Sequence, residues 1–154
     1  MNFDIKPLHP LFAAEITGID LRTPPSRELA NLIDTAMDRY AVVVVRDQRF
    51  DDDQQLAFAQ AMGPLEPSPA VVDQHLHRLK YREMVDISNL DVDGSVMAAD
   101  DRRRMFNFGN LLWHSDSSFK ATPAKYSMLH ARVIPPSGGE TEFADMRAAY
   151  DALS

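Results

Sequence analysis

The sequence predicts an α+β fold in which helices come early and strands gather late. Two segments before residue 64 carry apolar side chains at helical spacing, and strand patterns dominate from residue 85 onward. Between the two helical segments, the uninterrupted apolar run 40–45 predicts a strand that is covered on both faces. Together these patterns predict one domain over residues 1–154, a length that allows a sizeable core.

The first 64 residues contain clear signals for where each element begins and ends. Phe3 and Ile5 alternate with polar residues, which predicts a short strand region within residues 1–23. Ser26 is expected to cap a helix over residues 27–39, whose buried face consists of Leu29, Leu32, Ile33, Ala36 and Met37. A second helix is expected to open at Asp51-Asp52-Asp53 and to end at Gly63-Pro64.

Later segments alternate between strand patterns and polar stretches. Residues 85–90, 126–134 and 140–143 predict strands, and the turn at residues 135–139 separates the last two. Residues 95–108 are polar and predict a covering loop, which includes the basic cluster Arg102-Arg103-Arg104. A further amphipathic helix is expected to begin at Asp145.

Composition excludes several classes of function. The net charge is −7 and the pI is near 5.1, and no long stretch is dominated by basic residues, so we expect no nucleic-acid partner. The chain has no cysteine, which excludes disulfides and thiolate metal sites. Neither a signal peptide nor an apolar stretch of membrane-spanning length is evident, and we expect a soluble, cytoplasmic protein without a membrane partner.

The stretch with the most chemical information is Trp113-His114-Ser115-Asp116. In an extended backbone, residues two apart point to the same face, so an imidazole and a carboxylate would lie side by side. They would supply two of the three ligands in the two-His, one-carboxylate set of non-haem Fe(II) sites. A structural, hydrogen-bonded pair is the alternative. For His75 and His77, a solvated loop is favoured over a metal site.

The surrounding residues resemble the Fe(II)/2-oxoglutarate-dependent dioxygenases of the taurine dioxygenase family, in particular its 2,4-dichlorophenoxyacetate branch. The resemblance rests on residues 112–119 with the Gly138-Gly139-Glu140-Thr141 segment and its spacing from the His-Asp motif. It extends to residues 8–14, Phe58-Ala59, residues 63–66 and residues 86–89. It implies a double-stranded β-helix, or jelly roll, with N-terminal helices packed on the sheet.

The resemblance also implies the chemistry and the site residues. His114 and Asp116 would bind Fe(II), and Thr141 would donate a hydrogen bond to the cosubstrate 2-oxoglutarate. Asn110 would face the substrate, Phe119 would form a wall of its pocket, and Trp113 would pack beside the metal. The implied reaction uses O2 to hydroxylate a small organic acid such as an aryloxyalkanoate, and a homo-oligomer is compatible with it. The loop at residues 67–72 and the stretch 95–108 would border that pocket.

Two parts of the family's site have no counterpart in these residues. The family needs a second metal histidine and an arginine for 2-oxoglutarate, and His130, Arg132 and Arg147 do not match their contexts. We therefore expect a truncated fold, the N-terminal half of a dioxygenase, that is inactive alone and binds metal weakly. Strands from another chain could also complete it. The competing functions are a non-catalytic binding or assembly domain and, less favoured, a cupin-type isomerase.

Overall fold

The computed structural model describes residues 3–67 and 77–153. The chain divides into two compact units. The first unit consists of Met1–Gly63 and His130–Ser154, and the second unit consists of Pro64–Leu129. No helix among the described residues is long and apolar enough to cross a membrane.

The first unit contains a three-stranded sheet in the order β1-β2-β3. Strand β1 (Asp4–Pro7) pairs antiparallel with β2 (Ala14–Thr17), and β2 pairs parallel with β3 (Val43–Val44). A parallel pair needs a crossover connection, and here the helix α1 (Arg27–Tyr40) lies between β2 and β3 in the chain. The β2 side chains Ala14 and Ile16 are completely buried, so the core of this unit lies at its central strand.

Both early helices have the capped ends that the sequence predicts. The Ser26 hydroxyl accepts a hydrogen bond from the Leu29 amide at 3.2 Å, where α1 begins. Helix α2 (Asp52–Met62) begins with a capping box, in which Asp51 and Gln54 each accept a hydrogen bond from the other's backbone amide. Of the predicted α1 face, Leu29 and Ala36 are buried and the other three residues are partly buried.

The predicted strand over residues 40–45 is shorter in the structure, because α1 continues through Tyr40. Ala41 follows with a φ of 62°, and the Val42 amide donates to the Tyr40 carbonyl at 2.7 Å. This three-residue turn includes Val42, the first valine of the run, so only Val43–Val44 pairs with β2. Residues 42–45 are half-buried rather than fully covered.

In the second unit, helix α3 (Arg102–Asn107) lies within the stretch predicted to be a loop, and that prediction was wrong there. Asp101 caps the helix by accepting a hydrogen bond from the Arg103 amide at 2.8 Å. A 3-10 helix (Phe108–Leu111) continues directly from it. The capping aspartate is the sequence signal that the polar composition concealed.

The three late strand predictions do not hold in the described residues. Residues 126–134 and 140–143 form no strand, and residues 85–90 contribute only an isolated bridge between Leu90 and Val96. A strand is defined by ladder hydrogen bonds, and alternation of side chains cannot supply the neighbour that makes them. The described residues therefore show one small sheet with helices.

The predicted turn at residues 135–139 is confirmed, as is the helix that follows it. Gly138 and Gly139 have φ values of 73° and 77°, a region that glycine enters without steric cost. A Cβ on Gly139 would also lie 3.2 Å from the Pro135 ring. The final helix α4 (Met146–Asp151) is capped by Asp145.

Candidate metal centre

His114 and Asp116 lie side by side in the second unit, as the His-x-Asp spacing predicts. After the 3-10 helix, the backbone becomes extended at Leu112, with φ −95° and ψ 142°. The imidazole Nε2 of His114 then lies 3.3 Å from Oδ1 of Asp116. The pair forms over three residues without help from a sheet.

One hydrogen bond decides which nitrogen of His114 carries the proton. The ring Nδ1 lies 2.7 Å from the Leu112 carbonyl oxygen, which can only accept, so Nδ1 donates. In the neutral imidazole, Nε2 therefore presents its lone pair to the Asp116 carboxylate. Nε2 and Oδ1 can both donate an electron pair to a metal ion, so a cation placed between them could bind both.

The carboxylate of Asp116 has a partner of its own. The Ser127 hydroxyl donates to Oδ2 at 2.6 Å, and the other oxygen, Oδ1, is the one nearest His114. Partners of this kind, bound to the far side of a ligand group, orient metal ligands in proteins. Ser127 could not be identified from the sequence, because nothing in its spacing distinguishes it from any other serine in a strand-like segment.

The turn that follows Asp116 is anchored separately. Ser117 has a φ of 55°, and its hydroxyl donates to Oε1 of Glu66 at 3.0 Å. The Lys120 ammonium contacts the same oxygen, and this hydrogen bond, with that of Ser117, holds the pKa of Glu66 below its ordinary value. In the sequence, Glu66 stands out only as part of the family resemblance, and nothing there indicates that it binds Ser117 and Lys120.

The remaining predicted residues of the second unit lie on its surface. Asn110 is exposed on the 3-10 helix, and Phe119 is 76% exposed. Trp113 is 70% exposed, so the packing predicted for it is absent from the described residues. The side chains of His114 and Asp116 are themselves 48% and 58% exposed, which leaves the pair open to a ligand.

Of the residues considered in the first unit, Thr141 is exposed and His130 packs against its neighbours. Thr141 is exposed on the segment between the Gly138-Gly139 turn and α4. The His130 ring stacks on Phe50 at 4.1 Å between centroids, and its Nε2 donates to the Gln48 carbonyl at 3.1 Å.

The other residues considered for the site have partners elsewhere or lie outside the described residues. Arg132 pairs with Asp52, and Arg147 pairs with Asp145. In the second unit, Nε2 of His77 lies 2.8 Å from the Met84 carbonyl oxygen. His75 and most of the loop at residues 67–72 lie outside the described residues.

The pair fits a divalent cation but supplies only two protein ligands. Its donors are an imidazole nitrogen and a carboxylate oxygen, the ligand types of non-haem Fe(II) sites. Within residues 3–67 and 77–153, no group of three or more His, Cys, Asp or Glu side chains could hold a metal ion. The described residues thus present two adjacent candidate ligand groups, both partly exposed.

Comparison with known proteins gives a consistent result over almost the whole chain. Residues 4–154 match the family described as taurine catabolism dioxygenase TauD, TfdA family. The alpha-ketoglutarate-dependent 2,4-dichlorophenoxyacetate dioxygenase of Cupriavidus pinatubonensis is 52% identical over 153 residues, which cover 99% of this chain and 53% of that enzyme. The (S)-phenoxypropionate/alpha-ketoglutarate-dioxygenase of Sphingobium herbicidovorans is 40% identical, with 98% and 48% covered.

A solved structure agrees with these relatives. The crystal structure of AAD-2 in complex with Mn(II) and N-oxalylglycine matches with a TM-score of 0.92 and 48% sequence identity. The match covers 100% of this chain and 54% of that one. The chain thus spans about half the length of the relatives it matches.

Proposed function

Since this chain belongs to the taurine catabolism dioxygenase TauD, TfdA family, we propose that it carries two metal ligands of an Fe(II)- and 2-oxoglutarate-dependent dioxygenase. His114 would bind the metal through Nε2 and Asp116 through Oδ1. When bound, Fe(II) with 2-oxoglutarate and O2 supplies the oxidising chemistry that hydroxylates a substrate, with release of succinate and CO2. The chain's own residues supply binding, orientation and shape.

The observation that carries this proposal is the geometry of the His114 and Asp116 pair. Nδ1 of His114 is occupied by the Leu112 carbonyl, and Oδ2 of Asp116 is occupied by Ser127. The atoms left facing each other at 3.3 Å, Nε2 and Oδ1, are the two that a cation needs.

Three further residues receive roles in the proposal. Thr141 would donate its hydroxyl to a carboxylate of 2-oxoglutarate, a group that needs donors when it leaves water. Asn110 would offer its amide to the substrate, and Phe119 would offer an apolar face. Their exposure supports these roles, because each side chain is accessible to a ligand.

The proposed substrate is an aryloxyalkanoate such as 2,4-dichlorophenoxyacetate. The names of the two relatives described above support this class, since 2,4-dichlorophenoxyacetate and phenoxypropionate are both aryl ethers of a short carboxylic acid. We further propose that residues 1–154 form part of a double-stranded β-helix dioxygenase domain. The protein would work in the cytoplasm, and a homo-oligomer is compatible with this function.

A second candidate function is a non-catalytic binding or assembly domain. One observation favours it, namely that the described residues bring no third metal ligand to His114 and Asp116. The two functions differ in a measurable way. A module of the second kind would show no Fe(II)-dependent signal that needs His114.

An anaerobic titration with Fe(II) and 2-oxoglutarate tests the proposal, with the visible charge-transfer band of the chelated metal as the signal. We expect only a weak band in the wild-type chain, because two parts of the family's site have no counterpart in these residues, and its loss in His114→Ala. His77→Ala is the matched control, because this histidine also contacts a backbone carbonyl in the second unit and is expected to leave the band unchanged. If the wild type gives no band, the titration is repeated with the rest of the dioxygenase domain restored. A silent restored protein, or a band that persists in His114→Ala, would favour the non-catalytic alternative.

A further inference from the structure

We infer that Ser127 is a positioning residue, whose hydroxyl holds the Asp116 carboxylate so that Oδ1 faces Nε2 of His114. The orientation is a property of the chain without metal. Its consequence for metal binding rests on the function proposed above. The inference starts from the hydrogen bond between the Ser127 hydroxyl and Oδ2 of Asp116.

Packing alone does not fix the Asp116 side chain. It is 58% exposed, so no surrounding side chains confine it to one χ1 rotamer, and rotation about χ1 carries the carboxylate away from Nε2 of His114. The distance of 2.6 Å to the Ser127 hydroxyl lies in the range of about 2.5–2.7 Å for a hydroxyl bound to an ionised carboxylate. A bond of this type is roughly twice as strong as one between neutral groups, and here it selects one orientation.

The backbone around Asp116 is held by different groups. Ser117 and Lys120 both bind Glu66, and these contacts fix the turn that follows Asp116 without touching its carboxylate. The hydroxyl of Ser118 donates to the Ser115 carbonyl at 3.2 Å, which also concerns the backbone alone. Ser127 therefore controls a degree of freedom that the turn contacts leave open.

Loss of the Ser127 hydroxyl should leave the fold intact. Ser127 is exposed, so removal of the hydroxyl leaves no buried polar group without a hydrogen-bond partner. The Asp116 carboxylate would then sample several orientations, and a cation would have to select the productive one. Removal of such an outer partner typically weakens metal binding about 10–100-fold.

Scalar couplings in the metal-free chain test the orientation directly. Three-bond couplings from Cγ of Asp116 to its backbone nitrogen and carbonyl carbon report the χ1 rotamer. We expect values of a single rotamer in the wild type and averaged values in Ser127→Ala. Ser127→Thr, which keeps a hydroxyl, should restore the single rotamer, and Ser118→Ala should not disturb it. Unchanged couplings in Ser127→Ala, or equal averaging in Ser118→Ala, would overturn the inference.

A Mn(II) titration followed by electron paramagnetic resonance tests the consequence. We expect Ser127→Ala to bind Mn(II) about 10–100-fold more weakly than the wild type, with recovery in Ser127→Thr. Equal affinities, with binding that still needs His114, would refute the positioning role and leave the proposed function standing. Averaged couplings in Ser127→Ala together with Mn(II) binding that persists in His114→Ala would refute the proposed function and leave the orientation by Ser127 standing.

Discussion

Truncation of Ile16 to alanine should destabilise the first unit more than any surface change in it. Ile16 lies on β2, the central strand of the sheet, opposite Ile5 on β1, and its side chain is completely buried. Alanine removes three carbon atoms, each worth about 0.8 kcal/mol when buried, so the transfer term alone is about 2.4 kcal/mol. The cavity left behind adds to this, and large-to-small changes of this kind cost about 2–5 kcal/mol in total.

Urea unfolding followed by the NMR signals of the β2 amides measures this loss in the unit concerned. With a slope of about 2 kcal/mol per molar urea, a loss of about 3 kcal/mol lowers the midpoint by about 1.5 M. Ile134→Ala is the matched control, since the same atoms are removed from a side chain in the same unit that is 79% exposed. Its effect should stay within about 0.5 kcal/mol.

The comparison between the two variants can refute the reasoning. Equal midpoints for Ile16→Ala and Ile134→Ala would mean that burial at the central strand does not control the stability of this unit. Ile16→Val gives an intermediate point, because loss of one methylene costs about 0.5–1.5 kcal/mol.

Two further predictions concern an ion pair and a strained turn. Hydrogen bonds from Arg103 lower the pKa of Asp101 from 3.8 to about 2, so its contribution to stability is complete above about pH 4 and is lost as the pH falls toward 2. Asp101→Asn, which keeps the helix cap, should remove this pH dependence from the amide shift of Arg103, and an unchanged profile would contradict it. Ala41 has a φ of 62°, so Ala41→Gly should raise the free energy of unfolding by about 1 kcal/mol, whereas Ala30→Gly inside α1 should lower it by a similar amount. A loss of stability in Ala41→Gly, measured by urea unfolding, would show that the turn is not strained.

The elements that could be predicted from sequence are those whose signals are local. Ser26 and Asp51 cap the two early helices within three residues of their partners, and the apolar spacing of α1 repeats within the helix itself. Gly138 and Gly139 mark a turn because their backbone conformation is costly for other residues. Such signals need no knowledge of what the rest of the chain does.

The strand predictions were wrong where the sequence does not show which segment would pair with the predicted strand. Residues 126–134 were predicted to form a long strand, yet a ladder forms only where a second segment offers its backbone. β1 and β2 succeed because they lie close in sequence and pair antiparallel with Ile5 opposite Ile16. Helix α3 was missed although its signal is local. The aspartate that caps this short helix lies in a polar stretch with three arginines, a composition that is also typical of a loop.

The candidate site likewise has one part that the sequence shows and one part that only the structure shows. His114 and Asp116 are two residues apart, so an extended backbone places them together, and the motif alone shows it. What makes the pair suitable for a cation is the occupation of the other two atoms, Nδ1 and Oδ2. The first is occupied by a carbonyl two residues away, and every residue has such a carbonyl, so no motif can record it. The second is occupied by a hydroxyl eleven residues away, in a segment whose pattern suggested only a strand. The two candidate ligands could thus be proposed from the sequence, whereas their orientation required the structure, and the orientation is the part that Ser127→Ala tests.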